Sequence, residues 1–154
     1  RTEIVSQLPE PRDNHAVAAW NDRLLIVGGD GPENVRMTSM LVVDPETGEY
    51  TSRELPFAPG HPSIAVQGDL LVVFTVDDRG RDVLLRVDLA APNRAITSRR
   101  VDLSSRDMTL TSLGGELYAV GGSHPSRRHQ LGVVPISETG VPGEPLKLFS
   151  RIWY

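Results

Sequence analysis

Short apolar runs alternate with polar and turn-forming residues along the whole chain. Apolar runs of this kind, bounded by Gly, Pro, Asn and Asp, are typical of β-strands. No window of about 11 residues or more carries a helical stripe of apolar residues that is free of Gly and Pro. The pattern therefore predicts an all-β chain without an α-helix.

One apolar segment occurs three times. Residues 24–29 read Leu-Leu-Ile-Val-Gly-Gly, residues 70–75 read Leu-Leu-Val-Val-Phe-Thr, and residues 117–122 read Leu-Tyr-Ala-Val-Gly-Gly. The first residues of these segments are 46 positions apart (24 to 70) and then 47 apart (70 to 117). Self-similarity at such a period indicates a repeat architecture.

Each repeat is predicted to hold four strands joined by tight turns. The predicted strands are 15–20, 24–27, 40–43 and 50–55 in the first repeat, 63–66, 70–76, 83–87 and 97–103 in the second, and 109–113, 116–120, 130–134 and 146–149 in the third. Three antiparallel four-stranded units in succession are typical of the blades of a β-propeller.

The first repeat resembles a kelch repeat. The resemblance rests on Arg12 followed by His15, on the strand that ends in the doublet Gly28-Gly29, and on residues 43–50, Val-Asp-Pro-Glu-Thr-Gly-Glu-Tyr. A kelch repeat has a glycine doublet at the end of its second strand and an aromatic pair around an Asp-Pro turn. The resemblance implies kelch-like propeller blades over essentially the whole chain.

The repeats depart from that pattern in several places. Val43 stands where the family has its first aromatic residue, and Tyr50 stands where a tryptophan is usual. In the second repeat we align Phe74-Thr75 with the glycine doublet, and we expect Phe74 to create a locally different packing there. The repeats are therefore degenerate.

The repeats set the expected domain boundaries. We assign residues 1–9 to the outer strand of a preceding blade, because they resemble residues 53–56, and assign 10–56, 57–103 and 104–154 to three blades. Propellers typically close with about four to eight blades. We therefore expect an incomplete ring, closed by the remaining blades of a larger propeller or by a second copy of the chain.

Composition excludes some classes of function. The 154 residues include 16 basic and 20 acidic ones, interspersed, for a net charge of −4, which argues against nucleic-acid binding. The apolar runs are far shorter than the roughly 20 residues of a membrane-spanning helix, so we expect no membrane insertion. The chain has no cysteine, so it offers no disulfide, thiolate ligand or thiol nucleophile. None of these features predicts a cellular compartment.

The glycine doublets have a predicted structural role. Gly28, Gly29, Gly121 and Gly122 are expected where blades crowd together or where the backbone needs a positive φ.

The resemblance also implies a ligand-binding site at one mouth of the central channel. Residues before each first strand, and residues in the loop after each second strand, line that mouth in kelch propellers. The candidates are Arg12, Asn14, His15, His61, Arg106, Asp107, His124 and Arg127, with Asp30 and Asp77 in neighbouring loops.

Two of these candidates, His15 and His61, occupy the same phase of the repeat as Met108, since each lies nine positions before residue 24, 70 or 117. Imidazole suits metal binding and proton transfer, but it also satisfies backbone groups between blades. We predict the structural role, and expect neither a metal site nor a cofactor.

Two function classes remain. The first is a binding module that presents its mouth loops to a protein or carbohydrate partner, which the absence of a nucleophile–base motif favours. The alternative is part of a propeller enzyme acting on sugars, similar to a copper-radical oxidase or a sialic-acid mutarotase. The oxidases need a cysteine crosslinked to a tyrosine, which this sequence lacks. We predict no catalytic residues.

Overall fold

A computed structural model of the chain describes residues 7–101, 106–123, 132–137, 139 and 141–143. These residues form three antiparallel sheets and a single short 3₁₀ turn, Pro32–Asn34. The prediction of an all-β chain built of propeller-like blades is confirmed. None of the described helical segments is long and apolar enough to cross a bilayer.

The first two sheets have four strands each, in the order of the sequence. The strands of the first sheet are β1 (Ala16–Trp20), β2 (Arg23–Val27), β3 (Ser39–Val43) and β4 (Tyr50–Glu54). Those of the second are β5 (Gly60–Gln67), β6 (Leu70–Val76), β7 (Asp82–Asp88) and β8 (Thr97–Arg100).

The third sheet has three described strands, β9 (Arg106–Leu113), β10 (Glu116–Ser123) and β11 (Gly132–Ile136). The predicted fourth strand, 146–149, lies outside the described residues, as do residues 1–6 of the predicted extra outer strand. Gln7 to Pro9, which are described, form no regular strand.

The sheets follow one another through their first strands. β1 lies beside β5, and β5 lies beside β9, so the described sheets form an arc that is not closed into a ring. Residues 12–15, 28–38, 59–62 and 77–81 precede a first strand or follow a second one, and therefore lie at one end of the arc, here called the mouth face. The turns 21–22, 68–69 and 114–115 lie at the other end, the hairpin face.

Apolar side chains fill the spaces between consecutive sheets. Between the first and second sheets lie Leu25, Val27, Met40, Leu55, Leu71, Val73, Val83, Leu85, Val87 and Leu89. Between the second and third lie Ala65, Val72, Phe74, Leu84, Met108, Leu110, Leu117, Ala119, Val134 and Ile136. Successive strand residues alternate between the two faces of a sheet, which is why one strand contributes to both cores.

Hydrogen bonds repeat at the hairpin end of each inter-sheet boundary. Trp20 Nε1, at the end of β1, donates to Asp69 Oδ1 in the next hairpin (3.0 Å). Gln67, at the end of β5, donates in the same way to the carbonyl oxygen of Gly115. β1 and β5 are thus each joined to the hairpin of the following sheet.

The strand register corrects the alignment of the repeats. The residue after each two-residue hairpin turn is Arg23, Leu70 or Glu116, so these three are equivalent. The offsets are 47 (23 to 70) and then 46 (70 to 116). Thr75-Val76 therefore stands at the doublet position of the second repeat, and the alignment with Phe74-Thr75 is wrong by one residue.

Phe74 accordingly has an ordinary place in the fold. It is equivalent to Val27 and is 6% exposed in the core between the second and third sheets. Thr75 replaces the first glycine, and its hydroxyl donates to the buried carbonyl oxygen of Gly60 (2.9 Å).

Candidate functional site

The glycine doublet of the first sheet lies where two other segments approach closely. Gly28 has φ +61, and a Cβ there would lie 2.6 Å from Cγ of Pro59, in the segment that leads into the second sheet. Gly29 has φ +100, and its Cβ would lie 2.5 Å from the carbonyl oxygen of Asp13. Both positions combine a backbone conformation that favours glycine with no room for a side chain. The doublet therefore allows the segments that contain Pro59 and Asp13 to pack closely against the end of β2.

The backbone before β1 is paired with the loop that follows the doublet. Asp13 N donates to Asp30 O (3.0 Å), and Asp30 N donates to Asp13 O (2.9 Å). Asn14, at φ +50, donates from Nδ2 to Asp30 Oδ2 (2.9 Å). The predicted mouth residues Asn14 and Asp30 are thus brought together at the solvent-exposed edge of the first sheet.

The guanidinium of Arg12 is engaged inside the first sheet. Its two terminal nitrogens donate to the carbonyl oxygen of Gly28 and to the hydroxyl of Ser39, both at 3.2 Å. Burial lowers the pKa of Arg12, and the nearby carboxylate of Glu10 partly opposes that shift. Arg12 therefore holds the doublet against β3.

The two candidate histidines occupy different surroundings. His15 is half-buried beside Gly29, and its Nδ1 is buried without a hydrogen-bond partner among the described residues. His61 is exposed at φ +47, at an irregularity of β5 where His61 and Pro62 together lie opposite Thr75. Two residues of the second sheet thus fill the place that His15 fills alone.

Asp77 closes its own loop on the mouth face. It is 8% exposed and accepts hydrogen bonds from the backbone N–H groups of Arg79 and Arg81, both at 2.9 Å, and from Arg81 Nε at 2.7 Å. The side-chain hydrogen bond from Arg81, reinforced by the backbone donors, lowers the pKa of Asp77 to about 2. These hydrogen bonds within the loop engage the Asp77 carboxylate, so it is not available to a ligand.

The remaining predicted mouth residues are only partly described. Arg106 and Asp107 lie in β9, at the end of the strand that reaches the mouth face, and their side chains are not among those described. His124 and Arg127 lie outside the described residues. Gly121, at φ +96, and Gly122 lie in β10. No group of three or more His, Cys, Asp or Glu side chains within the described ranges could hold a metal ion.

The structure adds two mouth residues, Val35 and Arg36, to those that the sequence predicts. Val35 is 62% exposed beyond a loop tip where Glu33 and Asn34 both have positive φ. The guanidinium of Arg36 reaches across to the second sheet, where a Cβ at Gly60 would lie 3.0 Å from its Nη1. An isolated valine among polar loop residues is the sequence signal that could have indicated the first of them.

Val35, Arg36 and His61 therefore form an exposed group at the junction of the first two sheets. Within the described part of the chain, neither the Arg36 guanidinium nor the His61 imidazole has a hydrogen bond or an ion pair. An unpaired cation, an imidazole and an aliphatic side chain on one surface can contact both charged and apolar groups of another molecule.

Comparison with known proteins agrees with this geometry. A family model described as the kelch motif matches residues 11–52, which include the first three strands of the first sheet and the start of the fourth. Kelch-like protein 40 of Mus musculus is 29% identical over 122 residues, covering 75% of this chain but only 19% of that protein's length. The motif match, this similarity and the repeated four-stranded sheets together support a segment of kelch-like β-propeller blades.

Proposed function

We propose that this chain is a protein-interaction module that contacts its partner through the mouth face. The kelch motif and the similarity to a kelch-like protein support a protein-interaction role in general. The observation that supports the mouth face is the group formed by Val35, Arg36 and His61, which is exposed and has no internal hydrogen-bond or ion-pair partner in the described structure.

Loops at the opposite end of the sheets satisfy their own polar groups. In the β3–β4 loop, Asp44 Oδ1 accepts from the N–H groups of Glu46 (2.9 Å) and Thr47 (3.1 Å). In the β7–β8 loop, Asp88 accepts from Ala91 N and from Arg94 Nη1, both at 3.0 Å. Polar groups already paired in this way gain less from a new contact than the unpaired Arg36 and His61 of the mouth face.

Loops that a rigid sheet holds in place also lose less conformational entropy when they contact a ligand. The doublet Gly28-Gly29 and the paired backbone of Asp13 and Asp30 fix the base of the long β2–β3 loop. A fixed base lowers the entropy that is lost when the loop contacts a partner. Val35 and Arg36 are carried on this loop, which makes them the expected anchors of the interaction.

The test begins with selection of binding peptides from a random peptide library displayed on phage, with the folded chain as the immobilised target. Isothermal titration calorimetry then measures the dissociation constant of each selected peptide. We expect Val35→Ser and Arg36→Ala each to raise that constant by about tenfold or more, since a few central residues dominate most interfaces.

The matched controls lie on the hairpin face. Leu113→Ser removes a side chain that is 72% exposed, comparable to Val35, and Arg23→Ala removes an exposed arginine comparable to Arg36. The proposal expects both controls to bind the peptides as the wild type does. It is overturned if no peptide is enriched, or if the controls weaken binding as much as the mouth variants.

A further inference from the structure

Arg86 is a charged residue at a position where the other two sheets have apolar ones. It lies in β7 and pairs with Val72 of β6, whose side chain belongs to the core between the second and third sheets. The equivalent residues are Val42 in the first sheet and Pro135 in the third. Since these two sheets form without an arginine here, the fold itself does not require the charge of Arg86.

The guanidinium of Arg86 is half-buried and unpaired. Its Nε is buried without a hydrogen bond, and within the described residues neither terminal nitrogen has a hydrogen bond or an ion pair. Asp88 lies two residues further along the same face of β7 but is engaged elsewhere, because its Oδ1 accepts from Ala91 N and its Oδ2 from Arg94 Nη1, both at 3.0 Å. A partly desolvated cation of this kind gains free energy from an external anion.

Arg86 lines a cavity of about 390 Å³ at the hairpin end of the second sheet. The β5–β6 hairpin contributes Gln67 and Asp69 to the lining, and the β7–β8 loop contributes Arg94 and Ala95. Small-molecule sites have volumes from about 300 Å³ upward. The cavity therefore has room for a small organic ligand.

Hydrogen bonds hold both parts of this lining in place. Leu89 N, at the start of the β7–β8 loop, donates to Asp69 O in the hairpin (2.9 Å). Arg53 of the first sheet donates from Nη1 to Asp88 O (3.1 Å) and from Nη2 to Arg94 O. Because the lining is fixed in advance, a ligand binds there with a smaller loss of conformational entropy.

Hydrogen-bond donors and an apolar side chain lie together in the cavity. Thr97 stands opposite Arg86 in the pairing of β7 with β8, and its exposed side chain has no hydrogen bond within the described part of the chain. Leu70 is half-buried and offers apolar surface. The two parallel N–H groups of a guanidinium match the two oxygens of a carboxylate.

The charges around the cavity favour a ligand with a single negative charge. Arg86 and Arg94 supply two positive charges, and Asp69 and Asp88 supply two negative ones. Because these charges balance, a dianion such as phosphate has no net attraction to offset its larger cost of leaving water. A monocarboxylate pays a smaller desolvation cost and can still pair with the one unengaged guanidinium among these groups.

We propose that this cavity binds a small organic monocarboxylate with a short aliphatic chain. The carboxylate oxygens accept hydrogen bonds from the Arg86 guanidinium and from the Thr97 hydroxyl, and the aliphatic chain contacts Leu70. The cavity lies at the end of the sheets opposite the mouth face, so this binding is separate from the protein-interaction role proposed above.

The test is a titration of the isotope-labelled 154-residue chain with sodium butyrate, followed by two-dimensional amide NMR. We expect the largest shifts at the backbone amides of Arg86 and Thr97 and at the Arg86 Nε–H, with a dissociation constant of about 1 mM or below. Butanol, which lacks the carboxylate, and inorganic phosphate at the same ionic strength should each bind at least about tenfold more weakly.

Variants test which side chains hold the carboxylate. Arg86→Val introduces the residue type that the first sheet has at Val42, so it should fold, and it should raise the butyrate dissociation constant by about tenfold or more. Thr97→Val should raise that constant by about threefold or more. Arg100→Val is the matched control, since Arg100 is an exposed arginine of β8 outside the cavity, and it should bind butyrate as the wild type does.

Circular dichroism shows whether each variant is folded, and Arg86→Lys, which keeps the charge but loses the paired donors, replaces Arg86→Val if the latter is not. The proposal is overturned if butyrate gives no saturable shifts, or if the shifts lie away from the cavity. It is also overturned if phosphate or butanol binds as tightly as butyrate, or if the Arg86 variant keeps the wild-type affinity.

Discussion

Replacement of Gly29 by alanine tests the role of the glycine doublet most directly. At φ +100, an L-residue in this left-handed region costs roughly 1–2 kcal/mol. The new Cβ would also lie 2.5 Å from the carbonyl oxygen of Asp13 and 3.0 Å from Cβ of His15. The Asp13 oxygen belongs to the backbone, so the clash is relieved only if the backbone around Asp13, which is paired with Asp30, shifts.

That shift weakens two backbone hydrogen bonds, each worth about 1 kcal/mol. We therefore expect Gly29→Ala to lower the free energy of unfolding by about 3 kcal/mol, a large part of the 5–15 kcal/mol or so that is usual for a domain. Urea denaturation followed by far-UV circular dichroism measures the change.

Gly80→Ala is the matched control for this variant. Gly80 also has a positive φ, +72, but a Cβ there meets no atom within 4 Å. Its replacement should lower the free energy of unfolding by only the conformational part, about 1 kcal/mol. Equal losses for Gly29→Ala and Gly80→Ala would refute the claim that close approach of backbone segments makes glycine necessary at the doublet.

Three further predictions concern single polar groups. The pKa of Asp77 is lowered from 3.8 to about 2, so its charged form stabilises the fold above pH 4 or so, and that contribution is lost as the pH falls toward 2. In thermal unfolding, the melting temperature of Asp77→Asn should therefore change less than that of the wild type between these two pH values. Trp20→Phe removes the indole hydrogen bond to Asp69 and should lower the free energy of unfolding by about 1 kcal/mol in urea, with no further loss when Asp69→Ala is added. Thr75→Val leaves the buried carbonyl oxygen of Gly60 without its donor and should cost about 1–2 kcal/mol in the same assay, whereas Thr75→Ser should cost less.

The strands of the fold were largely predictable, since apolar pattern and turn residues act locally. The segments around Val27 and around Val73 both form strands, because each is an apolar run that follows a hairpin turn. The alignment of the second repeat was wrong by one residue for an equally local reason. The leucine pairs 24–25 and 70–71 look alike as letters, but strand position is counted from the hairpin turn.

The mouth face was less predictable, because its side chains are positioned by long-range contacts. The sequence indicated Arg12 as a ligand-binding candidate, yet its guanidinium donates to residues 16 and 27 positions away. It did not single out Arg36, whose guanidinium crosses to the start of β5. Neither contact follows from spacing along the chain.

The irregularity at His61 and Pro62 carries an evolutionary consequence. One additional residue is accommodated there within β5, and the ladder from Ser63 to Gln67 continues in normal register with β6. An insertion at this end of a blade therefore leaves the packing of the apolar residues between the sheets unchanged. Such repeats can lengthen and diversify their recognition surface by small insertions while inheriting an unchanged scaffold.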